Sequence, residues 1–425
     1  MGEPQSVPAR AWVVTAAGTV VNLCLGILYA WSVWKAALLA PAGVDPGSAM
    51  PAPNGGWHYL DAADATTPYA ICGFVFALAM IPGGRLQDRY GPRVGATLAG
   101  LFLGAGCLAA GWSQSYLGLV LGYGLLGGIG MGFGYAAATP AAVRWFGPHR
   151  RGLIVGLVVA GYGGAAIYIA PLGNRLIGDF GLTGSFVALG GLFAAVIVVA
   201  AQFLKMPPAG HVPPGPPASS VTKPTTGPDH SAGEMLKTWQ FYALVFLFVA
   251  SAQSGLLVIN NAVPLYRLTT TLSPQWAGYG WALAAFGGFV NATGRVGTGT
   301  YSDALGRTNA YAINAILGVL CLFTLPMVVE SGNVLLLFFL VGVVFWQYGG
   351  TLSLMPAITA DFYGSKNLGL NYGLVFLGWG VAFFVPQIGG LIEKATGSLT
   401  GAFYLSGGLL AAGVVVSRFI RRPGA

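Results

Sequence analysis

Charged residues are scarce in this chain. They make up 8% of its 425 residues, whereas soluble globular domains carry about 25%. Hydrophobic residues make up 55% and occur in long runs. A helix needs about 20 apolar residues to cross a bilayer, so the composition excludes a soluble domain and predicts an all-α, multi-pass membrane protein.

Cysteine and histidine are also rare, at four residues each. The cysteines fall in apolar runs without metal-ligand spacing, where cysteine usually behaves as a small hydrophobe. The glycine run at 124–132 lies in an apolar span and lacks the Gly-Lys-Ser/Thr of a phosphate loop. We therefore expect no metal, no cofactor, no catalytic residue and no enzyme activity.

Twelve apolar segments predict transmembrane helices. Their approximate limits are 11–37, 67–84, 95–113, 116–139, 152–173, 184–204, 239–263, 276–299, 309–329, 333–357, 368–392 and 400–419. The stretch 206–236 is rich in Pro, Gly, Ser and Thr and predicts a flexible cytoplasmic linker. It divides the chain into two six-helix bundles, 1–205 and 237–425.

Basic residues are unevenly distributed between the predicted loops. With a cytoplasmic N-terminus, fifteen of the 20 Lys and Arg residues lie inside and four, Lys35 among them, lie outside. This positive-inside bias predicts cytoplasmic N- and C-termini in a plasma membrane, which in bacteria is the inner membrane. The net charge of +8 therefore reflects topology, and nucleic acid is not an expected partner.

Arg295 is the one charged residue predicted to lie inside a span. A charge at bilayer depth costs about 2.5–3.5 kcal/mol even on insertion scales, so it usually marks a substrate or ion path. A guanidinium with no acid nearby suits a carboxylate, to which it donates two parallel hydrogen bonds. Asn291, one turn earlier on the same face, would orient Arg295 or bind the substrate. The alternatives are snorkelling of Arg295 to water and a helix–helix hydrogen bond from Asn291.

Similar loops follow the second and the eighth span, at 84–93 and 299–307. Gly, Asp and Gly recur in them at the same spacing, and repeats of six helices are typical of secondary transporters. The first loop matches G-x-L-x-D-R-x-G-x-R/K throughout, and the whole chain resembles the major facilitator superfamily. The resemblance implies a two-bundle fold and charged loop residues that lock the cytoplasmic side, here Asp88, Arg89, Arg93, Asp303 and Arg307. Alternatively, these residues only set topology and cap helices.

Shorter motifs in both halves carry a narrower resemblance. They are Gly26 to Val33, Arg144-Trp145-Phe146, the stretch before Arg295, and Asn371-Tyr372-Gly373. Together they resemble the oxalate–formate antiporter family, with the monocarboxylate transporters as near relatives. The resemblance implies that Arg295 binds the substrate carboxylate. The oxalate-exchanging type also has a lysine in helix eleven where this chain has Trp379, and one cation in place of two favours a monocarboxylate such as formate, acetate or lactate.

Aromatic side chains are expected to size the substrate pocket. A tyrosine can hydrogen-bond a carboxylate while its ring packs on the apolar part of the substrate. In membrane helices, however, aromatic residues more often serve packing or interfacial belts. The candidates are Tyr29, Tyr123, Tyr162, Tyr168, Trp346, Tyr348, Phe376 and Trp379.

Acidic residues bear on how transport is coupled. All 12 are predicted in loops or at helix ends. The monocarboxylate transporters have an acidic residue four positions before the arginine, and this chain has Asn291 at that position. Anion exchange through Arg295 needs no acidic residue or histidine within the spans, whereas in symport the substrate or water would bring the proton.

Two other functions stay open: a facilitator for uncharged or cationic drugs, and a non-transporting receptor of the same fold. We expect a monomer in the lipid bilayer.

Overall fold

Twelve helical crossings, α1 to α12, follow one another among the residues that the computed structural model describes. The structure describes residues 7–208, 211, 229–271, 274–364 and 366–424. The crossings are Ala9–Leu38, Ala62–Tyr90, Pro92–Ser113, Tyr116–Val143, 148–180, 182–201, Trp239–Thr269, Gly280–Leu305, Arg307–Ser331, Val334–Tyr363, Leu368–Thr396 and Thr400–Phe419. The predicted all-α membrane architecture is confirmed.

Ten helical stretches among the described residues are long and apolar enough to cross a membrane. One of them, Leu153–Ala201, has 49 residues, which is about twice the length of a single crossing. It turns at Gly181, whose φ of 69° costs glycine little. Asn54 Oδ1 accepts a hydrogen bond from Leu182 N at 2.7 Å and caps the start of α6. The 26 residues of α8 complete the twelve crossings.

The helices pack as two bundles, α1–α6 and α7–α12. Between the bundles, α2 contacts α11, α5 contacts α8, and α1 contacts α7. These pairs occupy equivalent places in the two repeats, which makes the arrangement pseudo-symmetric. Arg295 on α8 therefore lies at the interface between the halves.

Small residues let helices α3 and α4 approach closely, as expected for membrane helices. A Cβ atom at Gly106 would lie 2.5 Å from the carbonyl oxygen of Gly122, a distance that no side chain tolerates. At this contact α4 is π-helical, over Leu119–Gly127. The π turns change which residues of α4 face the centre of the protein.

One end of the bundle carries the loop after α2 and the linker, and we call it the linker end. The predicted linker falls largely on 209–210 and 212–228, outside the described residues. Its last part forms a capped turn at Ala232–Met235. Asp229 Oδ1 also accepts a hydrogen bond from Lys366 N at 3.1 Å, so this part of the chain lies beside the start of α11.

The opposite end carries the segment 39–61, and we call it the insert end. Two polar contacts join the halves at its rim. Arg267 Nη1 donates to Ala36 O at 2.7 Å, and Lys394 Nζ pairs with Asp61 Oδ2 at 2.6 Å. Burial alone would raise the pKa of the Asp61 carboxyl, but Lys394 and the backbone N–H of Asp64 hold that pKa below its ordinary value. The bridge is therefore ionised at neutral pH.

Lys35 corrects one expectation from the sequence. The positive-inside count places it on the outer side and leaves Arg295 as the one charge within a span, but Lys35 lies on α1 and is 0% exposed. Its Nζ donates to Asn261 Oδ1 on α7 at 2.6 Å, and it interacts electrostatically with Glu393 on α11. Arg295 is therefore not the only charged side chain buried in a span. Lys35 also fastens the insert end, because its partners belong to the other half.

Candidate functional site

The guanidinium of Arg295 lies between the two halves of the protein, and the residue is only 7% exposed. Its Nε donates to Asn291 Oδ1 at 3.3 Å within α8. Two further hydrogen bonds reach the other half, from Nη1 to Val159 O at 3.2 Å and from Nη2 to Tyr29 Oη at 3.4 Å. All three acceptors are neutral, and all three distances are at the long end of the usual range.

A glycine on α5 makes room for the guanidinium. A Cβ atom at Gly163 would lie 3.0 Å from Arg295 Nε and 3.2 Å from Cζ. Val159, which accepts from Nη1, is one turn earlier on the same helix. One face of α5 therefore supplies both the flat support and a backbone acceptor for Arg295.

Two tyrosines and a tryptophan extend this network across the interface. Tyr29 Oη and Tyr348 Oη, from different halves, are 2.7 Å apart. Trp379 Nε1 donates to Tyr348 Oη at 2.9 Å. Each hydroxyl accepts one N–H, from Arg295 or from Trp379, and the contact between the hydroxyls uses one of their two protons. The other hydroxyl proton is therefore available to an acceptor that is not part of the Arg295–Tyr29–Tyr348–Trp379 network.

The site has more hydrogen-bond donors than acceptors. Asn291 Nδ2 is buried and has no partner, and in the described residues Arg295 forms no ion pair. A buried cation is costly unless it is paired, and the neutral acceptors around Arg295 leave its charge in place. A small anion with several acceptor oxygens would satisfy these groups.

Asn291 is held in place by the neighbouring helix as well as by its bond to Arg295. A Cβ atom at Gly349 on α10 would lie 2.3 Å from the carbonyl oxygen of Asn291 and 2.9 Å from its Oδ1. The backbones of α8 and α10 thus approach closely at this point. The unpartnered amide nitrogen of Asn291 remains free to donate to a ligand.

Aromatic rings surround the polar network. Tyr162 meets the Tyr29 ring edge-on at 5.0 Å, and Phe376 stacks on Trp379 at 4.9 Å. The hydroxyl of Tyr135 interacts with Arg295. The rings that enclose the network belong to Phe76, Tyr135, Tyr162, Phe376 and Trp379. The wall is therefore apolar apart from its hydroxyl and indole groups, which suits a short organic anion.

Two aromatic residues of this environment are absent from the candidates of the sequence analysis. Tyr135 and Phe76 lie on α4 and α2, among many apolar residues with the same spacing. The π-helical stretch Leu119–Gly127 alters the facing of α4, so a regular helical count from Tyr123 does not identify Tyr135. The aromatic character of Tyr135 was the only available signal.

Tyr123 and Trp346, both predicted to bind substrate, form no hydrogen bond with Arg295 among the described residues. Tyr123 stacks on Trp31 at 4.5 Å, within the first half and towards the insert end. Trp346 packs its indole against Gly297 on α8. It precedes Tyr348 by two residues, about 200° around the helix, so the two side chains point in different directions.

The charged loop residues at the linker end pair within each half. Asp88 Oδ1 is 3.6 Å from Arg144 Nη2, and Arg307 pairs with Asp303 and, at 3.8 Å, with Asp361. The other two predicted gating residues, Arg89 and Arg93, form no ion pair among the described residues. The guanidinium of Arg89 lies 5.2 Å from the centre of the Tyr90 ring. In this structure these ion pairs do not join the two halves.

A family model agrees with this architecture. The model described as Major Facilitator Superfamily matches residues 24–348, well over half of the chain. The chain belongs to this superfamily. It is a multi-pass membrane transporter and not an enzyme, as the sequence indicated.

Curated relatives of this transporter match most of its length. An uncharacterized MFS-type transporter, YhjX of Escherichia coli (strain K12), is 25% identical over 89% of this chain and 87% of its own. The oxalate:formate antiporter of Oxalobacter formigenes is 27% identical, with 88% of each chain covered. Monocarboxylate transporter 12 of Rattus norvegicus is 26% identical over 76% of this chain and 71% of its own.

A solved structure of the same fold covers nearly all of this transporter. It is a bacterial homologue of the human lysosomal transporter Spinster, in an inward-facing and unoccupied conformation. The TM-score is 0.66 at 15% identity, with 98% of this chain and 96% of the other covered. At this identity the likeness shows the shared fold.

Proposed function

We propose that this transporter moves small monocarboxylates, of the formate, acetate or lactate kind, by alternating access, with Arg295 as the anchor of the carboxylate. The observation that carries the proposal is the buried guanidinium, which has no counter-ion among the described residues, beside the unpartnered amide nitrogen of Asn291. A carboxylate accepts several hydrogen bonds and neutralises the charge. The spare hydroxyl proton of the Tyr29–Tyr348 pair provides a further donor.

The charge of the site supports a monoanion over a dianion. Lys35, the other buried cation described above, is bonded to Asn261 at the insert end and faces Glu393. It is six residues from Tyr29 on α1, roughly 9 Å along the helix axis. Close to Arg295, Trp379 contributes a neutral N–H donor instead of a second charge.

The polar contacts at the insert end support alternating access. Lys35, Arg267 and Lys394 join the halves there, whereas the ion pairs of Asp88 and Asp303 at the linker end stay within one half. We infer that opening the insert end breaks the contacts of Lys35, Arg267 and Lys394 with the other half. In the opposite state, the charged loop residues would join the halves at the linker end: Asp88, Arg89, Arg93, Asp303 and Arg307.

The names of the relatives agree with the proposed substrate class. Oxalate and formate are small carboxylates, and two of the three curated relatives described above are named for carboxylate transport. Because the residue beside Arg295 is Asn291 and not an acid, it cannot carry a proton, and exchange of anions does not need it to. Proton symport remains the second form of the proposal, because the monocarboxylate transporters are among the relatives.

Uptake of labelled lactate into proteoliposomes tests the proposal. Vesicles are loaded with lactate, formate, oxalate or buffer alone, at constant pH and then with an inward proton gradient. Uptake that requires internal carboxylate indicates exchange, and uptake into empty vesicles driven by the proton gradient indicates symport. Efflux of a dye without any carboxylate competition would instead support a drug facilitator, and binding without uptake a receptor.

Arg295→Ala is the decisive variant, with Arg175→Ala as the control. Loss of two charged hydrogen bonds costs about 3 kcal/mol or more, which lowers the apparent affinity about 100-fold or more. Arg175 lies on the surface, and among the described residues its ion pair is with Asp179, so its loss should leave uptake unchanged. Wild-type carboxylate uptake by Arg295→Ala would refute the anchoring role.

A further inference from the structure

An apolar groove runs along the membrane-facing side of the first half, between α1 and α6. Its volume is about 560 Å³, within the range of ligand pockets. The lining is formed by small and branched side chains of both helices: Val13, Ala16, Ala17, Val20, Ala195, Val196, Val199, Ala200 and Phe203. From Ala195 to Phe203 the groove extends about 12 Å along the helix axis.

Three cations lie at the linker end of this groove. Arg10 is one turn before Val13 on α1, and Lys205 follows Phe203 by two residues. Arg93, at the start of α3, lines an adjoining surface pocket with Gln202. The charges of Arg10 and then Arg93 lower the pKa of Lys205 from its ordinary value, so the three groups are close to one another.

The cations have no counter-ion in the part of the chain that the structure describes. None of the three takes part in an ion pair there. Like charges that repel one another at the end of an apolar groove are complementary to an anion that carries a hydrocarbon chain. Basic pockets between membrane helices bind anionic lipid head groups for this reason.

We propose that this groove binds one anionic phospholipid, with its phosphate at Arg10, Arg93 and Lys205 and an acyl chain along Val13–Val20. The apolar lining of the groove excludes a hydrophilic anion from its length, and the cations select an anionic over a zwitterionic lipid. This site is remote from Arg295 and independent of the transported substrate. In this structure Arg93 would therefore bind a lipid phosphate, in addition to the gating role that the family resemblance implies for it.

Native mass spectrometry of the full chain tests this site. The protein is mixed with equal amounts of phosphatidylglycerol and phosphatidylcholine, and the ratio of bound lipids is measured. We expect the wild type to prefer phosphatidylglycerol about 10-fold or more, and Arg10→Gln/Arg93→Gln/Lys205→Gln to lose this preference. The control is Arg85→Gln/Lys237→Gln/Arg421→Gln, which removes three other exposed cations and should keep it.

Ala16→Phe tests the groove with every cation present, and it also serves if the triple variant does not fold. We expect it to weaken phosphatidylglycerol binding at least several-fold. Competition by inorganic phosphate at the concentration of the lipid would show a simple anion site and overturn the proposal. Retention of the preference by the triple variant, its loss in the control, or full lipid binding by Ala16→Phe would overturn it as well.

Discussion

Gly163→Ala probes the position of the Arg295 guanidinium without removing any of its partners. The added Cβ would lie 3.0 Å from Nε, 3.2 Å from Cζ and 3.3 Å from Nη2. These are short for non-bonded contacts, so the guanidinium must move by a few tenths of an ångström. Its hydrogen bonds already measure 3.2–3.4 Å, and such a shift is enough to break one of them or to misplace a bound carboxylate.

The size of the effect follows from the hydrogen bond at risk. A bond to a charged group is worth about 1.5–3 kcal/mol, so losing one corresponds to about 10- to 100-fold in substrate affinity. The fold itself should survive, because the displaced atoms end a flexible side chain. Alanine in place of glycine inside a helix should even add about 0.5–1 kcal/mol of stability.

Gly156→Ala is the matched control for this experiment. It makes the same change in the same helix, two turns earlier, where a Cβ atom meets nothing within 4 Å. We expect both variants to melt at or slightly above the wild-type temperature, but only Gly163→Ala to raise the KM for carboxylate uptake in proteoliposomes. An unchanged KM in Gly163→Ala would refute the placement of the guanidinium against α5 in the substrate-binding state.

Two further variants test the network and the closed end. Tyr348→Phe removes the acceptor of Trp379 Nε1 and leaves a buried donor unpaired, at a cost of about 1–3 kcal/mol of folding stability, so the variant should melt at a lower temperature than the wild type; an unchanged melting temperature would contradict this hydrogen bond. Lys35→Met removes the bond to Asn261 and leaves the partly buried Glu393 without the cation it faces. The insert end should therefore open more often. Faster thiol labelling of a cysteine placed beneath it would show this, and wild-type labelling would count against it.

The sequence by itself determined the helical architecture and its central cation. Long apolar runs of about 20 residues with scarce charge favour membrane-spanning helices, which satisfy their own backbone hydrogen bonds, so the crossings follow from local composition. Arg295 and Asn291 could be paired from the sequence because residues four apart share a helix face. The repeated loops at 84–93 and 299–307 likewise indicate two halves from the sequence alone.

Only the tertiary structure decided which side chains meet across the interface. Tyr29 and Tyr348 are 319 positions apart in the chain, and no local pattern shows that their hydroxyls touch. On α4, Tyr135 interacts with Arg295, whereas Tyr123 stacks on Trp31. The sequence places Lys35 at the outer end of the first span, and only the fold shows that α7 covers it. Burial depends on contacts between distant segments, whereas periodicity reports only the faces of a single helix.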